Sequence, residues 1–324
     1  MGAEGARPAG PAGPGPGPGP GPRRPALRVV AGPEGAQRCW RLAAAGAGGG
    51  AGGGGVEEEV LYFPGDGVPA PALPEGSPAR ALCAVPAQCL AVLAAFERAR
   101  GPGARIGLTA VVPSREEGLL ACFDHFLPSC SLSGEPGPED PAGGGPAALR
   151  AAGQSAAVLR GASASARGPV HVVGFSKGGA VVTQLLRECA RRRASAPGGG
   201  ADQGGALLDR VESFSYVDSG LNTRAKGAYL TDPKVAAALA AGGGGPRVEL
   251  HGTARQWRCM RRPWLGEEAR ECFGLLRGAG APVSALFYEM GGRADLAAHL
   301  ELLQDFRPGG CEGTEVQDGD RTGS

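Results

Sequence analysis

The chain has 324 residues, and 59 Gly with 29 Pro leave only part of it able to form a core. A net charge of +1 excludes the broad basic surface of a nucleic-acid binder, and no apolar run approaches the roughly 20 residues of a membrane span. Nine cysteines without a CxxC pair exclude a zinc ribbon or a thioredoxin-type motif, and their odd number fits a reducing compartment.

Residues 1–55 contain "GPAGPGPGPGPGP" and "AAAGAGGGAGGGG", which offer too little apolar surface to offset chain entropy and so predict a disordered leader. Its arginines (7, 23, 24, 28, 38, 41) outnumber its acids (Glu4, Glu34), as in a mitochondrial presequence, but Gly and Pro prevent an amphipathic helix. Ala6 breaks the myristoylation pattern that Met1-Gly2 begins. The domain itself is expected over 56–308, with flexible insertions near 133–168 and 194–206 and a polar tail over 309–324. About 200 core-forming residues suffice for one domain.

Within the domain, strand and helix patterns alternate. Val60–Phe63 is a short apolar strand stopped by Pro64-Gly65. Cys89, Leu90, Leu93 and Phe96 recur at helical spacing, and Gly101-Pro102-Gly103 ends the run. Ile106–Val112 and "PVHVVGF" are the next strands, the latter feeding a helix from Gly178 to about Arg192. Val181, Val182, Leu185, Leu186 and Cys189 share one face of that helix. "ESFSYVDSG" is the fourth strand. Asp232 caps a helix opened by Pro233 and closed by Gly242. "RVELHG" and "VSALFYEM" are the fifth and sixth strands, separated by a helix over 267–277. Leu296, Leu300 and Leu303 mark a final amphipathic helix. Such alternation predicts an α/β fold, a mostly parallel sheet with helices on both faces.

Gly174-Phe175-Ser176-Lys177-Gly178 matches G-x-S-x-G between a strand and a helix, the setting of a nucleophile elbow. The turn strains the serine, and glycines two before and two after remove side chains that would strike the strand or helix. The rival is an ordinary βα loop in a Gly-rich chain; absence of the Walker pattern argues against a phosphate-binding loop. A serine hydroxyl needs a base. Of the four histidines, His125 precedes the serine, His171 lies in the strand leading to it and His251 ends the fifth strand. His299 alone follows the last strand, in the Ser–acid–His order of this chemistry. It could instead be a helix-face residue beside the leucine stripe.

The acid is expected at Asp218, at the strand end "YVDSG", because "HGTARQWRCMRR", where an acid more often follows, contains no carboxylate. Asp295 and Glu289 are the fallbacks. Two N–H groups should stabilise a developing oxyanion: one from Lys177, the other from the "FPGDG" loop at Gly65 or Asp66, which could also be a plain turn. No cofactor or metal is called for, and the substrate would be a small molecule or lipid-like.

"VLYFPGD", "GFSKGGAVVTQLL", "YVDSG" and "RPWLGEE", in this order and spacing, resemble the α/β-hydrolase-like family named for chromosome 2 open reading frame 69. The resemblance implies an α/β-hydrolase core, a mitochondrial location in place of the otherwise expected cytoplasm, and roles for Ser176, Asp218 and His299 as elbow serine, strand-end aspartate and late histidine. It also implies an aspartate after the fifth strand, where this chain has Cys259. Two functions follow as expectations: a serine hydrolase of esters, thioesters or amides, or a catalytically weak hydrolase-fold binding or assembly protein.

Overall fold

The structure, a computed structural model, describes residues 27–31, 38–43, 58–101, 104–137, 149–162, 167–195, 203–224 and 227–310. The elements in chain order are β1 (Leu27–Ala31), β2 (Arg38–Ala43), β3 (Glu58–Phe63), α1 (Val85–Arg100), β4 (Ile106–Val111), β5 (Arg115–Glu117), β6 (Leu120–Cys122) and α2 (Arg150–Ala162). There follow β7 (Val170–Phe175), α3 (Gly179–Ala194), α4 (Gln203–Leu208), β8 (Val211–Val217), α5 (Pro233–Ala240) and β9 (Arg247–Thr253). The chain closes with α6 (Ala254–Trp257), α7 (Pro263–Ala279), β10 (Val283–Tyr288) and α8 (Leu296–Asp305).

One eight-stranded sheet runs β1-β2-β4-β3-β7-β8-β9-β10, and β5 and β6 form a separate hairpin. From β4 to β10 every pairing is parallel; β2 is antiparallel to both β1 and β4. Alternate side chains divide between two cores, as a two-residue period requires. Leu61 and Phe63 of β3, with Val170 and Val172 of β7, pack under α2, α3, α5 and α7. Val60 and Tyr62, with Val173 and Phe175, pack under α1 and α8. Burial on both faces explains why the central strands read as continuous apolar runs. Deep burial pushes the Cys89 and Cys272 thiols up to about 12, so both act as small apolar fillers.

The structure departs from the composition-based organisation in three places. The sheet begins before residue 56: β1 and β2 lie inside the expected leader, whose remaining residues are outside the described set, as is the tail from 311. Helix α2 occupies much of the segment expected as a flexible insertion over 133–168, and its first N–H groups, at Ala151 and Ala152, donate to Glu188 of α3. A carboxylate from another helix supplies that cap, so no local sequence signal marks it. Helix α4 likewise starts inside the insertion expected over 194–206. Among the described residues no helix is long and apolar enough to cross a membrane.

Candidate active site

The turn from β7 into α3 is crowded on every side. Ser176 holds φ at +52°, a state L-residues enter only when the surroundings impose it. A Cβ on Gly174 would stand 2.6 Å from both the Gly178 carbonyl oxygen and Val182 Cγ2, and one on Gly178 would overlap the Phe63 carbonyl. The two glycines therefore let strand, turn and helix close on one another. The half-buried Ser176 faces the first turn of α3, where helix N–H groups favour negative charge.

Gly65 completes the wall opposite. A Cβ there would overlap Ser176 Cβ and stand 3.0 Å from its Oγ, so the Phe63–Gly67 loop lies directly against the serine. Two ties hold this loop. Gly67 N–H donates to the Leu119 carbonyl at 2.6 Å, and the Asp66 carboxylate pairs with Lys177 Nζ at 2.6 Å while accepting from Ala121 N–H at 2.8 Å. Lys177 Nζ also donates to the Ser133 carbonyl at 2.7 Å. The Asp66 side chain thus anchors the loop through the residue after the serine.

Asp218 ends β8, next to β7 in the sheet, with φ at +45°. It is wholly buried, and its carboxylate is fully engaged. Oδ1 accepts from Thr253 N–H at 2.7 Å; Oδ2 accepts from Thr253 Oγ1 at 2.8 Å and from His299 Nδ1 at 2.6 Å. An ionised carboxylate only accepts, so with it His299 Nδ1 is the donor, and in the neutral ring Nε2 then carries the lone pair. The imidazole, in the first turn of α8, stacks on the ring of Phe175 with centroids 4.5 Å apart, which sets it beside the residue preceding Ser176. Gln256 Nε2 donates to the Asp218 carbonyl at 3.2 Å.

Of the fallback acids, Asp295 is exposed and caps α8 through Ala298 N–H, and Glu289 is exposed beyond β10. His251 is buried against Tyr288, with Nδ1 at 3.0 Å from the hydroxyl. Thr253, Gln256 and Phe175 escape the motif reading. Phe175 lies within the motif, but nothing in the sequence shows that Thr253 meets a carboxylate 35 positions earlier. Among the described residues no cluster of three or more His, Cys, Asp or Glu could hold a metal ion.

A strained serine on a strand–turn–helix at the centre of a sheet with this order and polarity defines an α/β-hydrolase-like fold. Within that class the chain resembles the C2orf69 family: residues 148–282 match the family model described as C2orf69. The mitochondrial protein C2orf69 homolog of Danio rerio is 30% identical over 135 residues, 42% of this chain and 37% of that protein. The matched stretch therefore spans little more than a third of the relative's length. Similar solved structures include siderophore hydrolase EstA from Aspergillus nidulans, 12% identical with a TM-score of 0.47, covering 89% of this chain and 97% of that one. Another is the thermostable carboxylesterase EstE1 from a metagenomic library, 12% identical with a TM-score of 0.42, covering 87% and 88% of the two chains.

Proposed function

We propose that the protein is a serine hydrolase acting on an ester, thioester or amide, with Ser176 as nucleophile, His299 as base and Asp218 as the acid that orients it. The observation that carries this reading is the Asp218–His299 hydrogen bond at 2.6 Å, made by an imidazole stacked on the residue before the strained serine. Ser176 Oγ attacks the acyl carbon as its proton passes to His299 Nε2. The oxyanion is held by N–H groups of Lys177 and of Gly65 or Asp66. Collapse expels the leaving group, which takes the proton from His299. Water, deprotonated by the same nitrogen, then releases the acid and restores the serine.

Incubation with a fluorophosphonate probe tests the reading. Wild type should be labelled and Ser176→Ala should not, with His299→Ala slowed by at least about a hundred-fold. Labelling of folded protein that does not depend on Ser176 would remove the serine from the chemistry. A mitochondrial location is part of the same proposal, supported by the name of the Danio rerio relative. Imaging of the full chain with a C-terminal tag checks it, and exclusion of the tag from mitochondria would refute it.

A further inference from the structure

Between Ala254 and Arg262 the chain carries Arg255, Arg258, Arg261 and Arg262 and no acid, and the chemistry above uses none of them. The fold brings two of the four to the rim of the site. Helix α6 starts straight after Thr253, the residue bonded twice to Asp218. Gln256 of α6 lies against Gly220, whose N–H reaches the Ser176 carbonyl at 3.4 Å. Arg262 donates to Gln256 Oε1 at 3.2 Å and to Asn222 Oδ1 at 3.4 Å. Asn222 in turn donates to Asp66, the anchor of the opposite loop. The Arg262 head therefore bridges both walls of the site, and Arg255 lies beside it on α6.

Both arginines are half-buried. Among the described residues neither is ion-paired to a carboxylate: Arg262 bonds two amide oxygens and the Cys259 thiol, and of the groups acting on Arg255, Asp218 and Asp295 are spent on His299 and on the α8 cap while Cys259 is held by Arg262. Burial, then the neighbouring Arg262, holds Arg255 below its ordinary value. Two like charges drawn partly out of water without a bonded carboxylate or phosphate are costly, and a guanidinium fork fits carboxylate or phosphate oxygens. Arg258 is used differently, stacked over Phe287 at 4.2 Å.

We propose that Arg255 and Arg262 form an anion subsite beside Ser176, selecting acyl substrates that bear a carboxylate or phosphate away from the scissile carbonyl. The inference rests on the serine-hydrolase reading, and the test separates the two. Hydrolysis of p-nitrophenyl hydrogen glutarate is compared with that of p-nitrophenyl pentanoate, a neutral ester of equal chain length. Wild type should favour the anionic ester by about ten-fold or more in kcat/KM, and rising salt should erode the preference. Arg255→Gln and Arg262→Gln should each lose at least about five-fold more on the anionic ester than on the neutral one. Arg255→Lys should recover part of that loss, with melting temperatures reporting that each variant folds.

Equal use of both esters by wild type, or equal losses on both in the folded variants, overturns the subsite and leaves the hydrolase reading standing. If no ester is turned over and Ser176 is not labelled, that reading fails. Calorimetric titration of wild type with glutarate and with pyrophosphate then decides the subsite and tells carboxylate from phosphate. Binding that either glutamine variant abolishes upholds it; no binding of either anion overturns it.

Discussion

Ser176 and Asp218 end neighbouring parallel strands, and both hold φ near the left-handed region, at +52° and +45°. Each such residue costs on the order of 1–3 kcal/mol, so the surroundings must over-determine it. For Asp218 they do so through three donors: Thr253 N–H, Thr253 Oγ1–H and His299 Nδ1–H. Asp218→Asn keeps the shape but replaces one acceptor by an NH2 group. Facing Thr253 N–H, that group meets a fixed donor. Facing His299, it demands a lone pair on Nδ1 and drives the proton to Nε2, the nitrogen that must accept from the serine. Ser176-dependent ester hydrolysis should therefore fall on the order of 10³–10⁴-fold in kcat, while the variant stays folded by circular dichroism. An undiminished kcat would exclude Asp218 as the orienting acid.

At the scale of elements, what was legible in the sequence is what local chemistry decides. The apolar runs of β3, β4 and β7 announce themselves because both faces are covered. Asp232 before Pro233 starts α5, accepting from Lys234 N–H at 2.8 Å, whereas the helix expected over 267–277 with Gly278 as its stop runs from Pro263 to Ala279 and ends at Gly280 in the left-handed state. Gly174 and Gly178 place the elbow, and chain order leads to His299. The rest is settled by partners distant in the chain. Helix α2 is Ala-rich, lies among Gly-rich segments and is capped from α3. Strand β2 finds its place against β4, which lies more than 60 positions later. Asp66 reads as a candidate oxyanion donor in the "FPGDG" loop, and only the fold reveals that its carboxylate pairs with a buried Lys177.

Across the molecule, β2 does more than widen the sheet. Arg41 reaches from β2 over β4 to Glu59 on β3, and the path is open because Gly107 of β4 has no side chain: a Cβ there would overlap the guanidinium. Arg41 Nη2 donates to Glu59 Oε2 at 3.1 Å, Nη1 donates to Thr109 Oγ1 at 3.0 Å, and Thr109 Oγ1 donates to Glu59 Oε1 at 3.0 Å. Glu59 is fully buried, and burial pushes its carboxyl up while Arg41 pulls it down. Arg41→Met should leave an uncompensated buried carboxylate and cost about 3–5 kcal/mol in urea unfolding at neutral pH. Pairing it with Glu59→Met should restore most of the loss, since two apolar side chains leave no charge to desolvate. The pH dependence has a fixed sign. Without Arg41 the folded carboxyl lies further above its unfolded value near 4.3. The single variant is therefore relatively most stable below about pH 4 and loses stability as pH rises through the folded value. Urea midpoints from pH 3.5 to 8 check this: the gap to wild type should widen with pH for Arg41→Met, while the double variant, which lacks the carboxyl, should show the flattest pH profile of the three. A gap that does not change with pH would mean that Arg41 stabilises the sheet by packing rather than by charge.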